Sequence, residues 1–258
     1  MKVAVCGLAK QELETYLRAQ YRHDIQLVKQ KPDFVFCYGG DGTLLFAEQG
    51  YPTIPKVMIR HSRVCNLCAR LTRETVVRLM VRGQYSVVEQ PLLETTHRRK
   101  TLYGMNDIMV MHGQPNTGLR YHLWLNGEPW GNELLGDGLV VATPLGSTGY
   151  YQSITRSTFQ QGLGIAFNNS IFSIGNIVVP EDTSVKVRVD RGPGLVAADN
   201  NNHFLPLQTR DTVTIRRSHR STYVVSFAGQ PYRRFNVGIG DNRVPLGFCQ
   251  ICDKPMPQ

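Results

Sequence analysis

The sequence predicts two domains: an α/β, doubly wound N-terminal domain and a mostly β, sandwich-like C-terminal domain. Three observations carry that expectation. Over residues 1–84, short apolar runs alternate with amphipathic stretches, as in β-α-β units around a parallel sheet. From Tyr85 the texture changes to many short β-rich runs parted by turn residues, as in a β-sandwich. Within the first part, Lys31–Glu48 reads KPDFVFCYGGDGTLLFAE, an apolar run, a glycine turn and a helix-forming stretch in succession.

In order, Lys2–Cys6 is expected as the first strand, with Gly7 as its exit. Lys10–Gln20 is a helix with Leu13, Tyr16 and Leu17 on one face. Asp24–Val28 is the second strand and Asp33–Tyr38 the third, bounded by Pro32 and Gly39. Leu44–Gln49 then has the composition of a helix start, and Lys56–Ile59 makes a fourth strand. Thr72–Arg82 is a helix with Val76, Leu79 and Met80 inward and Gly83 at its end. In such sheets ligands bind beyond the carboxyl ends of the strands, where Gly39–Thr43 falls.

The second domain, 85–228, is expected to contain Tyr85–Glu89, Ile108–Met111, Tyr121–Leu125, Gly138–Ala142 and Ile177–Val179. Val185–Val189, Leu195–Ala198, Val213–Ile215 and Tyr223–Phe227 complete the strands, and Ser147–Arg156 is one helical interruption. Asn126-Gly127 and Asp199–Asn202 mark turns. The tail 229–258 is rich in Gly, Pro and basic residues and fits neither pattern.

Composition narrows the function classes. A chain of 258 residues with 41% hydrophobic and 19% charged residues is an ordinary globular protein. No apolar run approaches the roughly 18–20 residues that span a bilayer. The start, MKVAVCGLAK, holds too short an apolar stretch for a signal peptide, so a cytoplasmic protein with no membrane partner is expected. The net charge of +9 suits nucleic acid or a substrate with several phosphates. No long Lys/Arg run marks a nucleic-acid surface, and none is expected as a partner.

The chemistry concentrates at two blocks. Gly39 and Gly40 permit a turn that a Cβ would obstruct, and the helix start behind them directs unpaired N–H groups toward an anion. Asp41 adds a carboxylate at the same place, a combination suited to phosphoryl transfer. Neither GxxxxGK[ST] nor GxGxxG occurs there. A plain tight turn is the alternative. The second block runs from Gly136 to Tyr150, GDGLVVATPLGSTGY. A strand ends at Thr143-Pro144, and Gly146-Ser147-Thr148 opens a helix, so hydroxyls and N–H groups converge where a phosphate or ribose is favoured. Between the blocks, Asn106-Asp107 offers an amide suited to an adenine edge and a carboxylate suited to ribose hydroxyls.

GGDGT after an apolar strand resembles the NAD kinase family, and related lipid kinases share it. The block GDGLVVATPLGSTGY is similar to the family's DGxxxxTPTGSTAY, which lipid kinases lack. The resemblance implies an enzyme that transfers a phosphoryl group, with Mg²⁺, to the 2′-hydroxyl of NAD's adenosine ribose. In that reading Asp41 is the base, and Gly39, Gly40, Gly42 and Thr43 position phosphates; Arg60 and His61, on the loop after the fourth strand, are expected to add phosphate-binding charge, with solvated surface residues as the alternative. Asn66, Asn106, Asp107, Asp137, Thr148, Gly149, Tyr150, Ser153, Ile165 and Phe167 would hold NAD, with Asn168 and Asn169 bordering the site. The resemblance also implies a homodimer or homotetramer and a tail, 229–258, that returns to the first domain. A GGDGT-type kinase with another acceptor and a non-catalytic dinucleotide-binding regulator remain as alternatives.

The sequence departs from the family at Arg60–Asn66, where Asn66 replaces an aromatic, at Leu145, and at Arg156-Ser157-Thr158 in place of Gly-Gly-Pro. These changes bear on nucleotide preference. Of six cysteines, Cys6 and Cys37 lie in apolar strands and are expected as inert core residues. Cys65–Cys68 and Cys249–Cys252 form two CxxC pairs, whose four thiolates would complete a structural zinc site. Two independent thiol pairs are the alternative.

Overall fold

The computed structural model describes residues 1–62, 65, 67, 68 and 71–228. Asn66, Cys249, Cys252 and the expected return of the tail lie outside the described residues. The chain forms two compact units: Met1–Leu44 with Pro55–Val87 and 225–228, and Leu45–Ile54 with Val88–Val224.

The first unit is built on β1 (Lys2–Cys6), α1 (Lys10–Gln20), β2 (Gln26–Leu27), β3 (Phe34–Gly39), the start of α2 (Asp41–Gly50), β4 (Lys56–Arg60) and α3 (Arg73–Val81). Its strands lie parallel in the order β2-β1-β3-β4, with Cys6 beside Cys37 and Gly39 beside Arg60. Helix α1 buries Leu13 and Leu17, and α3 buries Val76, Val77 and Met80. They pack with Val3, Phe36, Val57 and Ile59 in one core. Leu79 sits at its edge, and Val77, not singled out in the sequence, is fully buried instead. Thr72 caps α3 by accepting the N–H of Thr75 at 3.3 Å, which satisfies one donor of the first turn. Helix α2 starts three residues earlier than expected, at Asp41, so the GGDGT aspartate is itself helical.

The second unit holds β5 (Ser86–His97), β6 (Lys100–Gly104), β7 (Asp107–His112), β8 (Leu119–Leu125), β9 (Glu128–Pro129), β10 (Leu134–Gly136) and β11 (Gly138–Ala142). There follow α4 (Tyr150–Thr155), β12 (Leu163–Asn168), β13 (Ile177–Val179), β14 (Val185–Arg191), β15 (Gly194–Ala198), β16 (Leu205–Leu207) and β17 (Thr212–Ser226). One antiparallel layer runs β10-β8-β14-β17, with β9 on β8 and the β5–β6 hairpin on β17. The other is six-stranded, β13-β12-β11-β7-β15-β16.

Alternation explains the sandwich. Leu139 and Val141 on β11, Ile108 and Val110 on β7, and Ile165 and Phe167 on β12 meet Tyr121 and Leu123 on β8 and Val185 and Val187 on β14. The opposite face of β11 is also covered, since Val140 and Ala142 pack with Ala166, Tyr151 and Phe159. That is why β11 reads GLVVA, apolar throughout rather than alternating. Asn126 (φ 52°) and Gly127 (φ 89°) both take positive φ between β8 and β9, as a two-residue hairpin turn requires. The predicted helix Ser147–Arg156 is split by Gly149 into a 3₁₀ turn, Leu145–Thr148, and α4. Strand β17 merges two predicted strands, because RRSHRS between them lies mostly on exposed positions, where polar residues cost a strand little. Among the described residues no helix is long and apolar enough to cross a membrane.

Val141→Ala, in the fully buried sandwich core, should lower unfolding free energy by about 1–3 kcal/mol. Val178→Ala, on the exposed side of β13, should change it by no more than about 0.5 kcal/mol. Urea unfolding of both variants checks the assignment of faces.

Candidate active site

In the first unit the site forms at the carboxyl ends of β1, β3 and β4. A Cβ on Gly39 would stand 2.2 Å from Thr43 Oγ1, so glycine is what lets the first turn of α2 close onto the strand end. Thr43 N–H donates to Gly40 O at 2.9 Å. Asp41 opens α2 on the other side of that turn, and its Oδ1 accepts the N–H of Leu67 at 3.0 Å. His61 N–H donates to Gly39 O at 3.0 Å, and its ring lies 4.3 Å from that of Tyr38. Arg60 Nε donates to Ser62 O at 3.1 Å. The strand end thus carries a carboxylate, two cationic or polar side chains and a helix start within one unit.

Cys65 and Cys68 are bonded to each other, S–S 2.08 Å. Of the four cysteines of the zinc expectation, this pair is joined in a disulfide, which offers no thiolate, and Cys249 and Cys252 lie outside the described residues. Cys65 Sγ also lies 3.1 Å from Asp41 Oδ1. A disulfide sulfur carries no hydrogen, so this is a close contact rather than a hydrogen bond.

In the second unit the site is organised around Asn106 and Asp107 at the start of β7. Asp199, at the end of β15, accepts the N–H groups of Met105 (2.7 Å), Asn106 (2.8 Å) and Asp107 (3.1 Å). From the other side, Thr143 N–H donates to Asn106 O at 2.8 Å and Thr143 Oγ1 to Met105 O at 2.8 Å. Gly146 N–H closes the arrangement onto Thr143 Oγ1 at 3.1 Å. A Cβ on Gly146 would stand 2.0 Å from Asn106 O, which explains a glycine in the middle of TPLGST. A Cβ on Gly149 would reach within 3.5 Å of Asn106 Nδ2. The second predicted block therefore lies directly over Asn106-Asp107.

Around this centre, Asn168 Nδ2 donates to Tyr150 Oη at 2.8 Å, and Asn169 Nδ2 to Asp137 Oδ2 at 2.6 Å. Ser153 Oγ donates to Tyr150 O at 2.7 Å. Thr148 ends the 3₁₀ turn before Gly149. Ile165 is fully buried between the sheets, and Phe167 stacks on Trp130 with ring centres 5.1 Å apart, so both side chains contribute to the sandwich core. The clamp by Asp199 was missed, because Asp-Asn-Asn-Asn after a strand reads as an ordinary turn. A sign existed, since an aspartate directly after an apolar strand is a ready acceptor for nearby main-chain N–H groups.

Two features of this cluster bear on chemistry. Asn106 Oδ1 is buried and has no hydrogen-bond partner among the described residues, an acceptor awaiting a donor. Burial, followed by the charge of Asp199, pushes Asp107 up to about 8. Burial also pushes Asp199 up, to about 6, against the opposing effect of its three N–H donors.

Sequence relatives point the same way. The ATP-NAD kinase C-terminal domain family matches residues 105–227. The NAD kinase of Saccharolobus solfataricus is 30% identical over 203 residues, 76% of this chain and 80% of that relative. The chain belongs to the NAD kinase family. A second NAD kinase, from Saccharolobus islandicus, is 29% identical over 78% of this chain and 82% of its own length. Membership makes the chain a phosphotransferase, with the nucleotide binding that defines NAD kinases. The fold agrees. The crystal structure of an NAD kinase from Archaeoglobus fulgidus in complex with ATP has a TM-score of 0.73 at 22% identity, covering 91% of this chain and 96% of that one. Yeast NADH kinase complexed with NADH gives 0.76 at 15% identity, covering 89% and 84%.

The Asp107 shift has a defined effect on stability in this NAD kinase relative. The folded state keeps a proton that the unfolded chain, with its carboxyl near 3.8, gives up. Stability contributed by Asp107 is therefore full below about pH 4 and is lost as pH rises through about 8. Asp199 shifts in the same sense only to about 6, which leaves the window from pH 6 to 8 to Asp107. Wild type should lose about 2–3 kcal/mol across that window, and Asp107→Asn should lose markedly less. Urea unfolding at pH 6 and pH 8 measures both.

Proposed function

We propose that the chain makes NADP by transferring the terminal phosphoryl group of ATP, or of another phosphoryl donor, to the 2′-hydroxyl of the adenosine ribose of NAD. One observation carries the acceptor: the orphaned Asn106 Oδ1, buried where an adenine amino group would supply the missing donor. Asp107, beside it, would take the ribose hydroxyls. The ATP and NADH held by the two structural neighbours support both substrate classes. Residues 1–84 would then serve the phosphoryl donor, and 85–228 the dinucleotide, with Asp137, Thr148, Gly149, Tyr150 and Ser153 around it.

Asp41 is the base in this reading. Phosphoryl transfer passes through a loose transition state, so Asp41 orients the hydroxyl and takes its proton late. Gly39, Gly40, Gly42 and Thr43 would admit the phosphates to the start of α2, where N–H groups favour negative charge. Arg60 and His61 would add positive charge at that strand end. Mg²⁺ would neutralise the charge that develops on the transferring phosphate. An ion that arrives on a triphosphate and keeps several waters needs few protein ligands. Asp41 would be the carboxylate at that strand end available to it.

We also place the activity in the cytoplasm, in a homodimer or homotetramer. Ile171 and Phe172, and Val178 on edge strand β13, are apolar and exposed, as a self-associating face would be.

Purified protein incubated with NAD, Mg²⁺ and ATP should yield NADP, read by a dehydrogenase specific for it. No NADP from any phosphoryl donor would overturn the proposal. Asp41→Asn should lower turnover by about 10²–10⁴-fold with NAD binding nearly intact. Asn106→Ala should instead weaken NAD binding by about tenfold, as expected for one lost hydrogen bond at a buried site. Calorimetry and initial rates on the two variants separate these roles.

A further inference from the structure

The Cys65–Cys68 pair has no part in the reaction just described, yet it touches the base. We propose that it is a thiol–disulfide modification site, operated by a soluble dithiol–disulfide couple, that controls the hydrogen bonding of Asp41. The inference rests on the reading of Asp41 as the base.

Three contacts place the pair. Cys65 Sγ is 3.1 Å from Asp41 Oδ1. Leu67, between the two cysteines, gives its N–H to the same oxygen at 3.0 Å. Cys68 Sγ lies 3.8 Å from Gly39 O, on the glycine turn itself. Both cysteines are partly exposed, and Leu67 is buried. A reductant can therefore reach the sulfurs, while the main chain they bracket is held against Asp41. Cys6 and Cys37, by contrast, are buried inside strands and outside any disulfide, where a reductant or oxidant does not reach them.

The chemistry balances. On oxidation two S–H bonds break and one S–S bond forms. Two electrons and two protons pass to a disulfide oxidant, which leaves as two thiols. On reduction a thiolate of the dithiol attacks one sulfur and releases the other, and its second thiol resolves the mixed disulfide. The two states differ at Asp41. Oxidised, Cys65 has no hydrogen to give, and the closed ring keeps the Leu67 N–H in place. Reduced, Cys65 becomes an S–H donor within reach of Oδ1, and the opened ring lets the Leu67 N–H, still bonded on average, open more often. A further donor to a carboxylate favours its charged form and makes it a poorer base. The oxidised chain is the faster enzyme.

The test uses the full wild-type chain, equilibrated with dithiothreitol or with oxidised glutathione, and thiols counted by alkylation and mass spectrometry. Reduction should lower kcat by about tenfold, the scale of one hydrogen bond to a charged group, with KM for NAD changed less than about twofold. The acid limb of the kcat profile should move to lower pH, which a purely structural staple would not cause. Cys68→Ser should stay at the reduced rate in both buffers, and Cys249→Ser with Cys252→Ser should keep the response. Equal kcat in both states, an unmoved acid limb, or a response that survives Cys68→Ser or disappears with the tail variant overturns the inference. Exchange of the Leu67 amide, followed by NMR in both states of the wild type, needs neither variant nor turnover. Faster exchange on reduction supports the coupling and equal exchange refutes it. A chain that makes no NADP under any condition refutes the kinase reading, and the Leu67 amide still judges the coupling.

Discussion

The second unit depends on one costly arrangement, the enclosure of the Asp199 carboxylate beneath the main chain of residues 105–107. Three N–H groups point at it, and together they offset much of the penalty of removing a charge from water. Without that acceptor, consecutive buried N–H groups at the start of β7 would lack a partner. With it, the backbone at Asn106 is held from one side by a carboxylate and from the other by Thr143. The side chains of Asn106 and Asp107 are thereby aimed without any hydrogen bond of their own being spent on it. That is how Asn106 Oδ1 can remain an unmet acceptor in an otherwise well-satisfied cluster. Such a group costs stability when empty, and a ligand that supplies the donor recovers it.

The glycines of the two motifs have the same kind of cause. Gly146 permits the TPLGST segment to lie on Asn106 O, and Gly39 permits Thr43 to lie on the end of β3. In both places a strand end meets a helical first turn at a distance that excludes a Cβ. Motif glycines therefore report backbone contact rather than flexibility. Each contact brings main-chain donors to a strand end, which is the requirement for receiving phosphate or ribose.

Much of the fold was legible because periodicity is local. The 3.6-residue pattern of Lys10–Gln20 and the apolar run Gly138–Ala142 need no knowledge of the rest of the chain, and both elements have the expected bounds. Elements whose stability comes from partners were not legible. Lys100–Gly104 is a strand because β5 lies beside it, and Leu163–Asn168, opened by two glycines nearby, is one because β11 and β13 flank it. The site divides in the same way. Asp41 and the TPLGST block stand out by residue type and spacing, and Asn106 by its resemblance to the family's pattern. The Asp199 clamp and the approach of Cys65 to Asp41 join residues distant in sequence, and only the position of Asp199 after an apolar strand hinted at the first. Alternate positions on a strand face opposite ways, and Ile165 and Phe167 lie on the face turned into the sandwich.

The raised Asp107 also bears on how a phosphate-rich ligand is tolerated. A carboxylate buried beside a second one, near a dinucleotide, would repel the anion as well as its neighbour. Holding the proton to about pH 8 removes that repulsion at neutral pH and leaves a group that can donate or accept. A ligand hydroxyl that donated to Asp107 would favour its ionised form, so binding such a ligand would be linked to proton release. Asp41 stands in different surroundings: it opens α2 and its Oδ1 accepts the N–H of Leu67. There the N-terminal end of a helix dipole favours negative charge. The two aspartates differ because one is enclosed among apolar strands and the other opens a helix.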